Sequence, residues 1–206
     1  MKKVNAKRGI FLWITTAVII LNSCKNPAKA SSLTNYDDFE TIHSDFKLQS
    51  KAVENGKLLE YYKCEKKIND IENSIPLSWS NVPEGTNSLA IVMYHYPKKD
   101  SKTEVNSYLL LWGIDPSVTD IPYKMAKNPN WYMGANKDGT AVSYTSPCSK
   151  GSGEHSYTIA LFALKDVPKA LPKANAITVD YHTIMEAISE ATVLDRTSLN
   201  FIDAHE

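Results

Sequence analysis

The chain has 206 residues, 43% of them hydrophobic, with 23 Lys and Arg set against 23 Asp and Glu. The length suits one domain and the apolar content suffices for a core. Without residues 1–23, which hold Lys2, Lys3, Lys7 and Arg8, 19 basic residues face 23 acidic ones and form no basic stripe. Nucleic acid is thereby excluded as an expected partner, because neutralising phosphates needs clustered Lys and Arg.

The four basic residues precede an apolar run from Ile10 to Leu21. That run falls short of the roughly 20 residues that span a bilayer, so residues 1–23 are expected to be a signal peptide. Leu21-Asn22-Ser23-Cys24 resembles a bacterial lipobox, with Cys24 as the acylated residue. Ordinary secretion, with Cys24 a spare thiol, is the alternative. Acyl chains at Cys24 would anchor the protein stably to a membrane. Residues 24–37 read as a flexible tether and 38–206 as the folded domain. The expected location is the bacterial cell envelope, at the outer membrane or in the periplasm, held by the lipid.

Phe46 to Gln49 alternates apolar and polar, and Lys57 to Cys64 is a further strand candidate. SIPLSW (74–79) enters the core, and NVPEGTN (81–87) is a turn built from Pro, Gly and Asn. Ser88 to Tyr94 and Tyr108 to Ile114 are continuous apolar strands, separated by a charged loop at 97–103. Residues 117–140 are long and irregular, with Pro122, Pro129, Gly134 and Gly139. Tyr157 to Leu164 is a third apolar strand. Ile184, Met185, Ile188 and Ala191 recur at helical spacing within 181–192, and Leu199 to Ile202 is a last strand candidate. Three buried strands without intervening helices predict a mainly β, antiparallel domain with a peripheral C-terminal helix.

The stretch YTSPCSKGSGEHSYTIALFAL (144–164) joins loop chemistry to a buried strand. His155 and Tyr157 stand two apart where loop becomes strand, which puts both on one face. With Cys24 assigned to lipid, Cys64 and Cys148 remain. An exported pair reads first as a disulfide, and second as a catalytic thiol, Cys148, with His155 as its base. No G-x-S-x-G or H-E-x-x-H motif and no metal-ligand cluster occurs, so a non-enzymatic protein without metal or cofactor is expected. His43, His182 and His205 read as surface residues.

SIPLSWSNVPEGTNSLAIV resembles the S-P-P-L-x-W…V-P-x-G-T-x-S-L-A-L segment of phosphatidylethanolamine-binding proteins, in their bacterial Raf-kinase-inhibitor-like branch. The 144–164 stretch resembles the same family's G-P-C and H-R-Y blocks, and the likeness runs from about Phe46 to Phe201 in order. It implies an antiparallel β-sandwich whose small pocket takes an anionic or phosphorylated ligand such as a phospholipid headgroup. His155 and Tyr157 match the H-R-Y block as donors, and Pro147 and Cys148 match the pocket loop.

The sequence also departs from that pattern. The D-P-D-A-P motif reads His95-Tyr96-Pro97-Lys98-Lys99, without either carboxylate, and the pocket His falls at Tyr108. Two outcomes follow: a pocket re-tuned for another anion with help from His95, Lys98 and Lys99, or a pocket vacated and filled by Tyr94, Tyr96 and Tyr108. The second would leave a regulatory, inhibitor-like scaffold for a protein partner. Cys64 corresponds to the family's y-t-C-d-G element, and both cysteines then border the pocket, which implies a Cys64–Cys148 bridge at its rim.

Overall fold

The structure is a computed structural model and describes residues 42–64, 74–98, 102, 104–148 and 151–205. Residues 1–37, expected to hold a signal peptide, Cys24 and a tether, lie outside the described residues, as does Lys99. The order is β1 (Lys47–Gln49), β2 (Val53–Glu54), β3 (Lys57–Leu58), a 3₁₀ turn (Glu60–Tyr62), β4 (Leu77–Ser80), β5 (Ser88–His95) and β6 (Asn106–Ile114). There follow β7 (Asp120–Ile121), β8 (Tyr132–Met133), β9 (Gly153–Leu164), α1 (Tyr181–Ser189) and β10 (Val193–His205).

Two sheets form a sandwich: β1-β4-β7, and the larger β2-β3-β10-β9-β5-β6-β8. The apolar runs of β5, β6 and β9 have no polar face because both faces are covered. On one face Leu89, Ile91 and Met93 of β5 and Ile159 and Leu161 of β9 meet Leu48, Leu77, Trp79 and Ile121 of the smaller sheet. On the other, Ala90, Val92, Ala160, Phe162 and Leu164 meet Tyr181, Ile184, Met185 and Ile188 of α1. That contact is the helix expected from the spacing; Asp180 caps it, accepting the Thr183 N–H at 2.8 Å.

Three expected elements differ. The strand candidate Lys57 to Cys64 pairs only at Lys57–Leu58, because Asn55 and Gly56 (φ 50° and 73°) make a tight hairpin and the chain then coils through the 3₁₀ turn. The last strand is all of β10, beyond Leu199 to Ile202, since Asp195, Arg196, Asn200 and Asp203 interrupt its apolar signal. Residues 117–140 contain the short strands β7 and β8. The larger sheet also has one parallel contact, Ile202 opposite Lys57.

Where the chain enters the domain it is clamped by Asp195, only 1% exposed. Its carboxylate accepts the backbone N–H groups of Ile42 (2.8 Å), His43 (2.7 Å) and Arg196 (2.7 Å), and meets His43 Nδ1 at 2.8 Å. Burial raises the Asp195 carboxyl, but these hydrogen bonds outweigh it and hold the group below the usual carboxylate range.

Candidate functional site

The site lies at the end of the sandwich where β5 finishes and β9 begins. Strand order brings β10, β9 and β5 side by side, with Phe201 opposite Tyr157 and Asp203 opposite His155. The ring of Tyr157 is stacked between two others, His95 at 4.9 Å (24°) and Phe201 at 5.4 Å (10°). Tyr108 from β6 meets it edge-on at 5.1 Å and 73°. Tyr157 is 0% exposed, Tyr108 1% and His95 6%. Of the expected pocket residues, His95, Tyr108 and Tyr157 are therefore brought together, with their rings packed against one another.

His95 takes the place of the first missing carboxylate. Its Nδ1 donates to the Ser156 carbonyl at 2.8 Å. Burial lowers its pKa, the bond to Ser156 opposes this, and His155 lowers it further, so the ring is neutral at pH 7. His155 is half-buried at the edge, 5.8 Å from His95, with Nε2 on the Gly151 carbonyl at 3.2 Å. Lys98 is exposed and ion-paired with Glu104. Neither His95 nor Lys98 thus supplies positive charge to the buried rings.

Tyr94 and Tyr96 do not fill the pocket. Successive strand residues point to opposite faces, and these two pack under α1: Tyr94 meets Tyr181 at 5.4 Å and Tyr96 at 5.4 Å. Only Tyr108 of the three expected tyrosines occupies the site.

Beside the ring stack is a cavity of about 190 Å³, lined by Cys64, Asn136, Asp138, Tyr144, Thr145, Ser146 and Cys148. The Cys64–Cys148 disulfide lies in its wall, with Cα atoms 5.5 Å apart across a separation of 84 residues. The disulfide reading of the pair therefore holds, and the thiol reading does not. Pro147 is buried in the same loop, while Cys148 is exposed. Thr145 ties this wall to the stack, its N–H donating to the Tyr108 carbonyl at 2.8 Å. The far wall is a turn around Asn136, whose side-chain oxygen accepts the N–H groups of Thr140 (2.9 Å) and Ala141 (3.2 Å).

Tyr144 is fully buried at the cavity floor. Burial pushes its phenol far above the ordinary tyrosine range; a hydrogen bond with Ser146 opposes the shift, and the nearby Tyr157, Tyr123 and Asp203 add to it. Asp203 is 0% exposed. Asn136, Asp138, Tyr144, Ser146 and Asp203 were not expected as site residues. The signal in the sequence is faint: Tyr144 opens the pocket-loop block, and Asp203 is one of several polar residues in β10.

A closed ring stack and a disulfide-rimmed cavity thus lie at one end of a β-sandwich, and the family match that follows supports a binding or regulatory protein. The phosphatidylethanolamine-binding protein family model matches residues 49–202, and the chain belongs to that family. A UPF0098 protein of Methanothermobacter thermautotrophicus is 29% identical over 124 residues, 58% of this chain and 76% of the relative. Two solved structures share the fold. One is a phosphatidylethanolamine-binding protein homologue, CT736 of Chlamydia trachomatis (TM-score 0.63, 20% identity, 80% of this chain and 100% of that one). The other is YbcL of E. coli, described as a member of the mammalian family (TM-score 0.64, 19% identity, 79% and 100%).

Proposed function

We propose that the protein is a non-enzymatic member of this family that binds a small, hydrogen-bonding ligand in the disulfide-rimmed cavity, whose wall is tied to the ring stack through Thr145 and Tyr108. The observation that carries this is the cavity itself, since Tyr157 is walled in by His95, Phe201 and Tyr108. Its volume of about 190 Å³ equals roughly six waters of liquid. Among the described residues lining it there is no Lys, Arg or His; Asp138 brings a carboxylate that is ion-paired with Lys137 at 3.0 Å, and Thr145 and Ser146 bring hydroxyls. That inventory favours an uncharged hydroxyl or amide group over the phosphate ester or phospholipid headgroup suggested by family resemblance. Lipid attachment at Cys24 and an envelope location belong to the same proposal and rest on the sequence pattern.

The filled ring stack favours a second reading, a regulatory scaffold that acts through a protein partner. Amide NMR on the full chain separates the two, using glycerol and acetamide as uncharged probes and inorganic phosphate and phosphoethanolamine as anionic ones. Shifts at Thr145, Ser146 and Asn136 with the uncharged probes support the cavity. A flat response to all four supports the scaffold.

A further inference from the structure

The disulfide forms part of the wall of the cavity and stands nearer to solvent than the tyrosine and serine that line its interior. Cys148 is exposed and Cys64 half-buried, whereas Tyr144 and Ser146, which line the same space, are 2% and 3% exposed. The bridged residues are therefore closer to solvent than Tyr144 and Ser146. The two segments that the bridge joins are each held to the body separately. On one side Lys63 Nζ donates to the Ala204 carbonyl at 2.9 Å, and Tyr62 packs edge-on against Tyr123 at 5.4 Å. On the other, Thr145 is bonded to Tyr108 and to the Lys137 N–H. The core of β5, β9 and β10 is built from long ladders that do not pass through either cysteine. The pairing of the sandwich therefore does not depend on the bridge.

We propose that Cys64–Cys148 is a thiol-sensitive lock on the cavity, opened by a dithiol donor. A donor thiolate attacks the Sγ of Cys148, the more exposed residue of the pair, forming a mixed disulfide, and the Cys64 sulfur leaves as a thiolate that takes up a proton. The donor's second thiol then attacks its own sulfur of the mixed disulfide and releases Cys148 as a thiol. The protein gains two thiols and the donor departs as a disulfide, so electrons and protons balance. The lock rests on the cavity reading for its purpose, but it is tested without ligand, so the two fail separately.

The test is hydrogen exchange by mass spectrometry on the native full chain, with and without dithiothreitol. Reduction is expected to speed exchange about tenfold or more in peptides covering 60–64 and 144–148, with β5 and β9 unchanged. A Cys64→Ser/Cys148→Ser variant is expected to show the fast pattern already and not to respond to dithiothreitol. Three results overturn the lock: a bridge that millimolar dithiothreitol cannot reduce without denaturant, rim exchange unchanged on reduction, or β5 and β9 exchanging as fast as the rim. The last identifies a staple of the whole fold.

Discussion

Replacing Tyr108 by alanine tests the idea that this ring occupies the family pocket as packed core. Tyr108 is 1% exposed and meets Tyr157 edge-on at 5.1 Å. Truncating a buried aromatic to alanine costs about 3–5 kcal/mol, as lost transfer energy plus the void left behind. The ring pair itself is about 0.5–1.5 kcal/mol of that. For a domain of this size each kcal/mol moves the melting temperature by roughly 2–4 °C, so Tyr108→Ala should melt roughly 6–20 °C lower. Urea denaturation gives the free energy directly, and Tyr108→Phe, which keeps the ring, should lose less than half as much. Because Tyr157 is otherwise well packed, the void should also take up phenol, which raises the variant's melting temperature and not that of the parent. A loss under about 1 kcal/mol, or a phenol response equal in both proteins, would refute the packed-core account.

Asp195→Ala should destabilise the domain by about 2–3 kcal/mol in urea, since hydrogen bonds to a charged group each contribute about 1.5–3 kcal/mol and the freed amides partly rehydrate. Its folded pKa is depressed, so its contribution is complete above the unfolded value near 3.9 and is lost as pH falls through the lower folded value. The gap between parent and variant should therefore be constant from about pH 5 upward and close in stronger acid; a gap that widens in acid contradicts the clamp. Gly134→Ala should also destabilise, by about 1 kcal/mol or more, because an added Cβ would stand 2.5 Å from the Val179 carbonyl oxygen. Equal unfolding midpoints for Gly134→Ala and its parent would show that the backbone there yields freely.

Much of the fold was legible because burial on both faces leaves apolar runs such as 88–94, 108–114 and 157–164 that read the same under any register. The helix followed from the spacing of Ile184, Met185 and Ile188. β10 was seen only in part, since its pairing with β9 is carried by backbone bonds that charged residues such as Asp195 and Asp203 do not disturb. Period-two spacing was enough to put His155 and Tyr157 on one face of β9. That His95 would turn inward onto Tyr157, while Tyr94 and Tyr96 packed under α1, depended on strand alternation at the end of β5, which includes an irregularity between Met93 and Tyr94. The cavity wall at Asn136 and Asp138 comes from a loop whose position is set by long-range bonds, such as Gly134 to Leu110, that no local pattern encodes.

The Tyr157 amide in the four-probe NMR titration bears most directly on the central claim, that binding has left the His155–Tyr157 pocket for the disulfide-rimmed cavity. The account predicts that uncharged probes move Thr145 and Ser146 in a saturable way while phosphate leaves Tyr157 and Phe201 in place. Saturable shifts at Tyr157 and Phe201 with phosphate or phosphoethanolamine would contradict it and restore an open anion pocket at the ring stack.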